Sequence, residues 1–145
     1  MKNLTGYRTD RFALYELLPK YEYSVLSEAT GWGLFDPRML WTLDRLQERF
    51  GTAIMNDWYW GGSNQFRGWR PFACSVGAEW STHKFGRAGD IMFKHCAAEE
   101  VRAHVLANPE DEAYQFITCI EMKVDWFHFD TRNFNTARGI LKIYP

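Results

Sequence analysis

Two short segments of the chain carry residue types that can bind a metal ion. The first spans residues 81–90 and reads STHKFGRAGD; the second spans residues 125–130 and reads DWFHFD. His83 and His128 offer imidazole nitrogens and Asp90 offers a carboxylate, and zinc accepts both kinds of donor. Three protein ligands leave a fourth position for water, which is typical of a catalytic zinc site rather than a structural one. The spacing therefore predicts a zinc centre made by His83, Asp90 and His128.

Two acidic residues flank His128 and suggest further roles. Asp125 is the candidate general base, but positions three apart on an extended strand face opposite ways. It must therefore lie in a turn that enters the strand, and the charged Lys123 just before it is compatible with such a turn. Asp130 shares a strand face with His128 and is expected to accept a hydrogen bond from the ring nitrogen that does not bind the metal.

A simpler explanation of each segment stays open. A histidine near an aspartate is often an ordinary hydrogen-bonded pair without a metal, and either segment alone is compatible with that. The three cysteines are widely spaced and form no C-x-x-C pair, so neither a thiolate zinc site nor a disulfide framework is expected.

Local helix and strand signals predict the elements that position these residues. Asp36 is a good N-cap, Pro37 suits the first helical position, and Gly51 is a typical helix end, so one helix is predicted between them. Further predicted elements are a short strand at 52–55, a strand at 88–93, a helix at 97–107, and strands at 114–121, 126–131 and 139–144. The first thirty residues are expected to hold a short helical segment that Pro19 interrupts. This order predicts one α+β domain, residues 1–145, with an antiparallel sheet.

Residues 56–80 form a glycine- and tryptophan-rich segment without helix or strand periodicity. Loops of this length in a compact domain are usually functional. Its aromatic side chains can form a groove for a substrate, or they can be part of the core, and both interpretations remain open. The residues concerned are Trp58, Tyr59, Trp60, Phe66 and Trp69.

The composition excludes several classes of function. The formal net charge is −1, so no basic field predicts binding to nucleic acid or to an anionic membrane surface. No apolar run approaches the roughly 20 residues that a membrane span needs. The first residues contain no apolar stretch typical of a signal peptide, so synthesis in a cytoplasm is expected.

The two metal-binding segments together resemble the M15 family of zinc peptidases. Residues 81–90 match the pattern S-x-H-x-x-G-x-A-x-D, and residues 125–130 are similar to the second motif of that family. The resemblance covers about a third of the chain and implies the fold shared with the Hedgehog signalling domain, with helices on one side of a small antiparallel sheet. It also implies His83, Asp90 and His128 as zinc ligands and Asp125 as the base.

The same resemblance implies an arginine that polarises the substrate carbonyl. Arg67 and Arg70 are the candidates, and the setting Gly68-Trp69-Arg70 favours Arg70. The compact Gly-Tyr-Arg turn of the family is replaced by a tryptophan-rich segment, which resembles small M15-like proteins of tailed phages. Ser81, Asp130, Trp58 and Trp60 are then expected to support the metal or to contact substrate.

Three hypotheses for the function follow. The first is a zinc peptidase that cuts an amide bond in bacterial peptidoglycan, made in the host cytoplasm and acting on the cell wall after release or as part of a virion. The second is a zinc-binding structural or recognition module on the same fold, without turnover. The third is a metal-free α+β protein. An acidic residue at position 125 favours the first, since a binding module needs no base.

Overall fold

The computed structural model describes residues 2–145 as a mixed α+β fold, so Met1 of the predicted 1–145 domain lies outside the described residues. The predicted α+β class is confirmed. Within the described residues, one five-stranded sheet combines with four α-helices. The helices are α1 (Lys20–Val25), α2 (Glu28–Gly33), α3 (Pro37–Phe50) and α4 (Ala98–Ala107); the strands are β1 (Ala53–Ile54), β2 (Ala88–Phe93), β3 (Cys119–Glu121), β4 (Phe127–Asp130) and β5 (Leu141–Ile143).

Helix α3 begins and ends at the residues that the sequence predicts. The Asp36 carboxylate accepts a hydrogen bond from the Arg38 backbone N–H at 2.9 Å, which caps the first turn. Gly51 ends the helix with φ of 84°, a conformation that favours glycine. The buried apolar side chains of this helix are Met39, Leu40, Trp41, Leu43 and Leu46.

The sheet has the strand order β1-β2-β4-β3-β5. The first three pairings are antiparallel, as predicted, but β5 runs parallel to β3. The prediction of a purely antiparallel sheet is therefore wrong for its last strand. A long connection that includes the 3₁₀ turn Thr136–Arg138 joins β4 to β5. It carries the chain past β3, so that β5 pairs with β3 in the same direction.

The two faces of the sheet have different chemistry because side chains alternate along each strand. One face contributes Ile91, Phe127 and Phe129 to the hydrophobic core, together with apolar side chains of α3 and α4. Asp90 and His128 are direct partners across the β2–β4 pair, and Ala88 pairs with Asp130 in the same ladder. The side chains of Asp90, His128 and Asp130 therefore lie together on the opposite face of the sheet.

Three local predictions differ from the structure. Residues 14–16 form a single 3₁₀ turn, and Pro19 is the N-cap of α1 instead of an interruption. Its fixed φ and missing N–H suit the start of a helix. The predicted strand 114–121 is extended only at Cys119–Glu121, because Glu112–Tyr114 forms a 3₁₀ turn capped by Asp111.

No helix among the described residues is long and apolar enough to cross a membrane.

Gly86 packs the segment 81–90 against the residues that precede α3. It ends the 3₁₀ turn Thr82–Phe85 with φ of 67°, and its carbonyl accepts a hydrogen bond from the Asp36 N–H at 2.9 Å. A Cβ at this position would lie 1.8 Å from the Leu34 carbonyl oxygen. Only glycine therefore allows this turn to pack against the end of α2.

Replacing Gly86 with alanine is expected to destabilise the protein by about 3 kcal/mol or more, because a left-handed conformation and a backbone clash act together. Gly6 is the matched control: its φ is also positive, at 71°, but nothing lies within 4 Å of a built Cβ. Gly6→Ala should cost only about 1 kcal/mol. Urea denaturation of both variants measures the difference, and equal losses would contradict the proposed clash.

Candidate metal centre

His83, Asp90 and His128 form a buried group that can hold a metal ion. One ligating atom from each residue lies within 4.8 Å of the other two. His83 comes from the 3₁₀ turn Thr82–Phe85, while Asp90 and His128 face each other across β2 and β4. The structure thus brings together three residues that are up to 45 positions apart in the sequence, the separation of His83 and His128.

The ring of His83 is oriented by a hydrogen bond on the side that points away from Asp90. Its Nδ1 donates to the Gly68 carbonyl oxygen at 2.7 Å. Nε2 is therefore the nitrogen that faces Asp90, at 3.3 Å from its Oδ2. Ser81 caps the turn by accepting a hydrogen bond from the His83 backbone N–H at 3.3 Å. A histidine whose far nitrogen donates to a backbone carbonyl has the tautomer that a metal ligand requires.

His128 has the complementary arrangement. Its Nε2 lies 2.9 Å from Asp130 Oδ2, and its Nδ1 lies 2.8 Å from Asp90 Oδ1. Asp130 is fully buried and is itself held by Arg132 at 2.6 Å. The structure therefore places Asp130 where the sequence predicts it, on the ring nitrogen of His128 that points away from the metal group. Such carboxylate–histidine pairs orient the ring and raise its basicity.

Arg70 is the arginine that the structure brings to this group. Its Nη2 lies 3.0 Å from Asp90 Oδ2, and both side chains are buried. Its Nε and Nη1 donate to the carbonyl oxygens of Phe66 and Val76. The guanidinium is thus fixed beside the carboxylate. The other candidate, Arg67, instead contributes its backbone carbonyl, which accepts from the Asp90 N–H at 2.9 Å.

The charges of the group favour ionised carboxylates. Burial raises the pKa of Asp90, but the charges and hydrogen bonds of His83 and His128 outweigh it and hold the pKa well below its usual range. Burial also raises the pKa of Asp130, but hydrogen bonds from Arg132 and His128 have the larger effect. The pKa of Asp130 therefore lies well below its usual range. For His128, burial lowers the pKa, but the hydrogen bonds to Asp130 and Asp90 raise it to about 9.

Metal affinity is therefore expected to rise with pH. In metal-free protein the pKa of His128, about 9, keeps a proton on the imidazole at neutral pH, and a metal must displace that proton from Nδ1. The apparent affinity should increase about tenfold per pH unit from about pH 6 upward and level off above the pKa of His128. Competition titrations against a zinc chelator across this range measure the slope. Asp130→Asn should move the plateau to lower pH, and a pH-independent affinity would contradict the expectation.

The metal group opens into a cavity of about 540 Å³. Cavities of this size suit small molecules or a few residues of a peptide. Its walls combine two tryptophans with charged residues, so both apolar and polar contacts are available to a ligand. Besides the three candidate ligands, the lining residues include Arg70, Trp80, Glu121, Trp126, Arg132 and Ile143.

Glu121 is an acidic residue at the metal group that the sequence analysis missed. It ends β3, which pairs with β4, and its side chain lines the same cavity as His128. Its Oε1 lies 3.9 Å from His128 Nδ1, and its Oε2 accepts a hydrogen bond from Trp126 Nε1 at 3.3 Å. The signal in the sequence was weak, because Glu121 follows two apolar residues and lies seven positions before His128, outside the recognised motif.

Asp125 lies in a different place from the one expected. The bend that the sequence required before β4 is present, and Lys123 has φ of 60° there. Asp125 itself is exposed and lines a separate cavity with the first turn of α4. Buried Arg102 holds this conformation by donating to the carbonyl oxygens of Val124 and Trp126 at 2.5 and 2.8 Å. The structure therefore does not bring Asp125 to His83, Asp90 and His128.

The tryptophans predicted to contact substrate also lie elsewhere. Trp58 and Trp60 belong to a 3₁₀ turn, and neither lines the metal cavity. The Trp58 Nε1 donates to the Leu18 carbonyl oxygen at 2.9 Å, so this ring braces the N-terminal segment. Trp80 and Trp126 are the tryptophans at the metal cavity.

No protein-family model, no curated protein and no solved structure matches the chain. The function is therefore inferred from the chemistry of the site itself.

Proposed function

We propose that this protein is a zinc-dependent peptidase that hydrolyses an amide bond in bacterial peptidoglycan. The observation that carries the proposal is the buried His83–Asp90–His128 group at the wall of an open cavity, with Glu121 beside His128. A purely structural zinc site uses four protein ligands and is closed. Here three ligands face a cavity, which supports a catalytic role. The motif pattern of residues 81–90 and 125–130 supports an M15-type peptidase and peptidoglycan as the substrate class.

The donor set fits zinc. Two imidazole nitrogens and one carboxylate oxygen are the ligand types of known peptidase zinc sites, and both rings have their far nitrogens engaged. When bound, zinc supplies Lewis-acid chemistry: it lowers the pKa of water to roughly 7 and polarises a carbonyl oxygen.

The side chains of this protein supply the remaining functions. Glu121 Oε1 accepts the proton of the attacking water and returns it to the leaving amine nitrogen, so that bond cleavage is balanced in protons. Arg70 holds Asp90 and adds positive charge where the carbonyl oxygen becomes negative. Trp126 orients Glu121 through its indole N–H, and with Trp80 it forms the apolar part of the wall.

Metal analysis and product analysis together test the proposal. Purified protein should contain about one zinc per chain, and digestion of purified peptidoglycan should release new amino groups that mass spectrometry assigns to one peptide bond. Protein treated with a chelator is the control and should release none. Bound iron, or no bound metal, would refute the zinc centre. Stoichiometric zinc without new amino groups would instead favour a recognition module without turnover.

A further inference from the structure

Residues 58–60 of the tryptophan-rich segment form an aromatic cluster with two tyrosines of the N-terminal region, and none of these rings lines the metal cavity. Five rings contribute to it: Tyr15, Tyr23, Trp58, Tyr59 and Trp60. Tyr15 stacks on Tyr59 with ring centroids 3.8 Å apart, and it contacts Trp60 edge-on at 5.6 Å. Tyr59 is 52% exposed and Trp60 is 61% exposed, although both are large rings. Solvent-exposed rings grouped in this way usually mark a binding surface.

A cavity of about 440 Å³ adjoins this cluster. Tyr15 and Tyr23 belong to both, and Trp32 adds a third ring to the cavity wall. Glu28, in the first turn of α2, is the carboxylate of the lining. None of these four residues lines the metal cavity. An aromatic pocket with one well-placed polar group is the usual composition of a small-molecule site.

The chemistry of this pocket fits a saccharide. Sugar rings have apolar C–H faces, which pack on tyrosine and tryptophan rings, and hydroxyl groups, which donate to carboxylates. An organic ammonium ion also binds aromatic rings near a carboxylate, but a single ammonium group would fill only part of the cavity and leave Tyr59 and Trp60 unused. The size of the pocket together with the exposed rings beside it favours a ligand that is several rings long.

We propose that the cluster and its adjoining cavity bind a glycan chain, with contacts from Tyr15, Tyr23, Glu28, Trp32, Tyr59 and Trp60. The choice of glycan rests on the proposed function: a peptidase of the cell wall meets N-acetylated sugar chains to which the peptides are attached. Binding there would hold the protein on its polymeric substrate while the metal cavity acts on the peptide.

The test is a titration with a soluble oligomer of β-1,4-linked N-acetylglucosamine in the presence of a metal chelator. Tryptophan fluorescence and NMR measure the binding. Saturable binding is expected with a Kd of about 1 mM or tighter. Trp60→Ala and Tyr59→Ala should each weaken it about tenfold, and Glu28→Gln should weaken it about threefold. All three side chains are exposed, so these variants should fold normally.

Trp80→Ala is the matched control, because Trp80 is 71% exposed but lies at the metal cavity. It should leave glycan binding unchanged. The proposal is overturned if no saturable binding occurs at about 10 mM oligomer, if the Tyr59 and Trp60 variants bind as well as the original protein, or if tetramethylammonium binds the pocket and the sugar does not. The chelator removes the metal, so this experiment measures glycan binding without hydrolysis. Glycan binding without peptidase activity would leave this proposal standing, and peptidase activity without glycan binding would overturn it alone.

Discussion

Replacing His83 with alanine is expected to lower the affinity for zinc by more than about a hundredfold, because one of three ligands is lost from a preorganised group. Isothermal titration of metal-free protein measures this directly. Thermal denaturation provides a second readout, since a ligand present at 1,000 times its Kd adds about 4 kcal/mol of stability. Zinc should therefore raise the melting temperature of the original protein and have little effect on the variant.

Two further variants make this result interpretable. His95 is exposed, so His95→Ala should bind zinc normally and controls for loss of an imidazole. His83 is buried, and its replacement by alanine leaves a cavity that destabilises the fold by itself. Asp90→Asn keeps the size of the side chain and removes the anionic ligand, so it should also lose affinity. Undiminished zinc binding in both ligand variants would refute the centre.

Glu121→Gln is expected to reduce the rate of hydrolysis by about 10²–10⁴-fold, the usual contribution of a general base. Glutamine keeps the shape of the side chain and can still accept the hydrogen bond from Trp126, but it cannot take a proton from water. Zinc content and melting temperature should be unchanged, because Glu121 lies outside the three-residue metal group. Steady-state kinetics on a peptide released from peptidoglycan measures the loss, which should appear in kcat more than in KM.

Asp125→Asn is the matched comparison for this experiment. Asp125 is exposed and lines a different cavity from His128, so its replacement should change the rate less than about twofold. The opposite result, a large loss for Asp125→Asn and little for Glu121→Gln, would return the role of base to Asp125. That outcome would also require the bend at Lys123 to change its conformation on binding substrate.

The cases in which sequence and structure agree share a local physical cause. Helix α3 is defined by Asp36, Pro37 and Gly51, each of which acts on its own backbone within one turn. Strand β2 could be recognised from composition at its predicted bounds, 88–93.

The cases in which they differ depend on contacts between distant parts of the chain. The parallel entry of β5 beside β3 is decided by the path of the connection after β4. The position of Asp125 depends on Arg102, more than twenty positions earlier, which binds the carbonyls of the bend. The turn Trp58–Trp60 packs on Tyr15 of the N-terminal region, so its three rings do not line the metal cavity.

The sequence by itself predicted the α+β class, the main helix and the three side chains that the structure gathers into a group able to hold a metal ion, because residue type, capping and strand alternation are local properties. Only the tertiary structure decided which acidic residue lies beside those three side chains. Glu121 reaches His128 because β3 pairs with β4, whereas Asp125 is turned aside by a bend that Arg102 holds. Register between strands and hydrogen bonds to a distant buried arginine are not encoded in a short motif, and they determine where a carboxylate points.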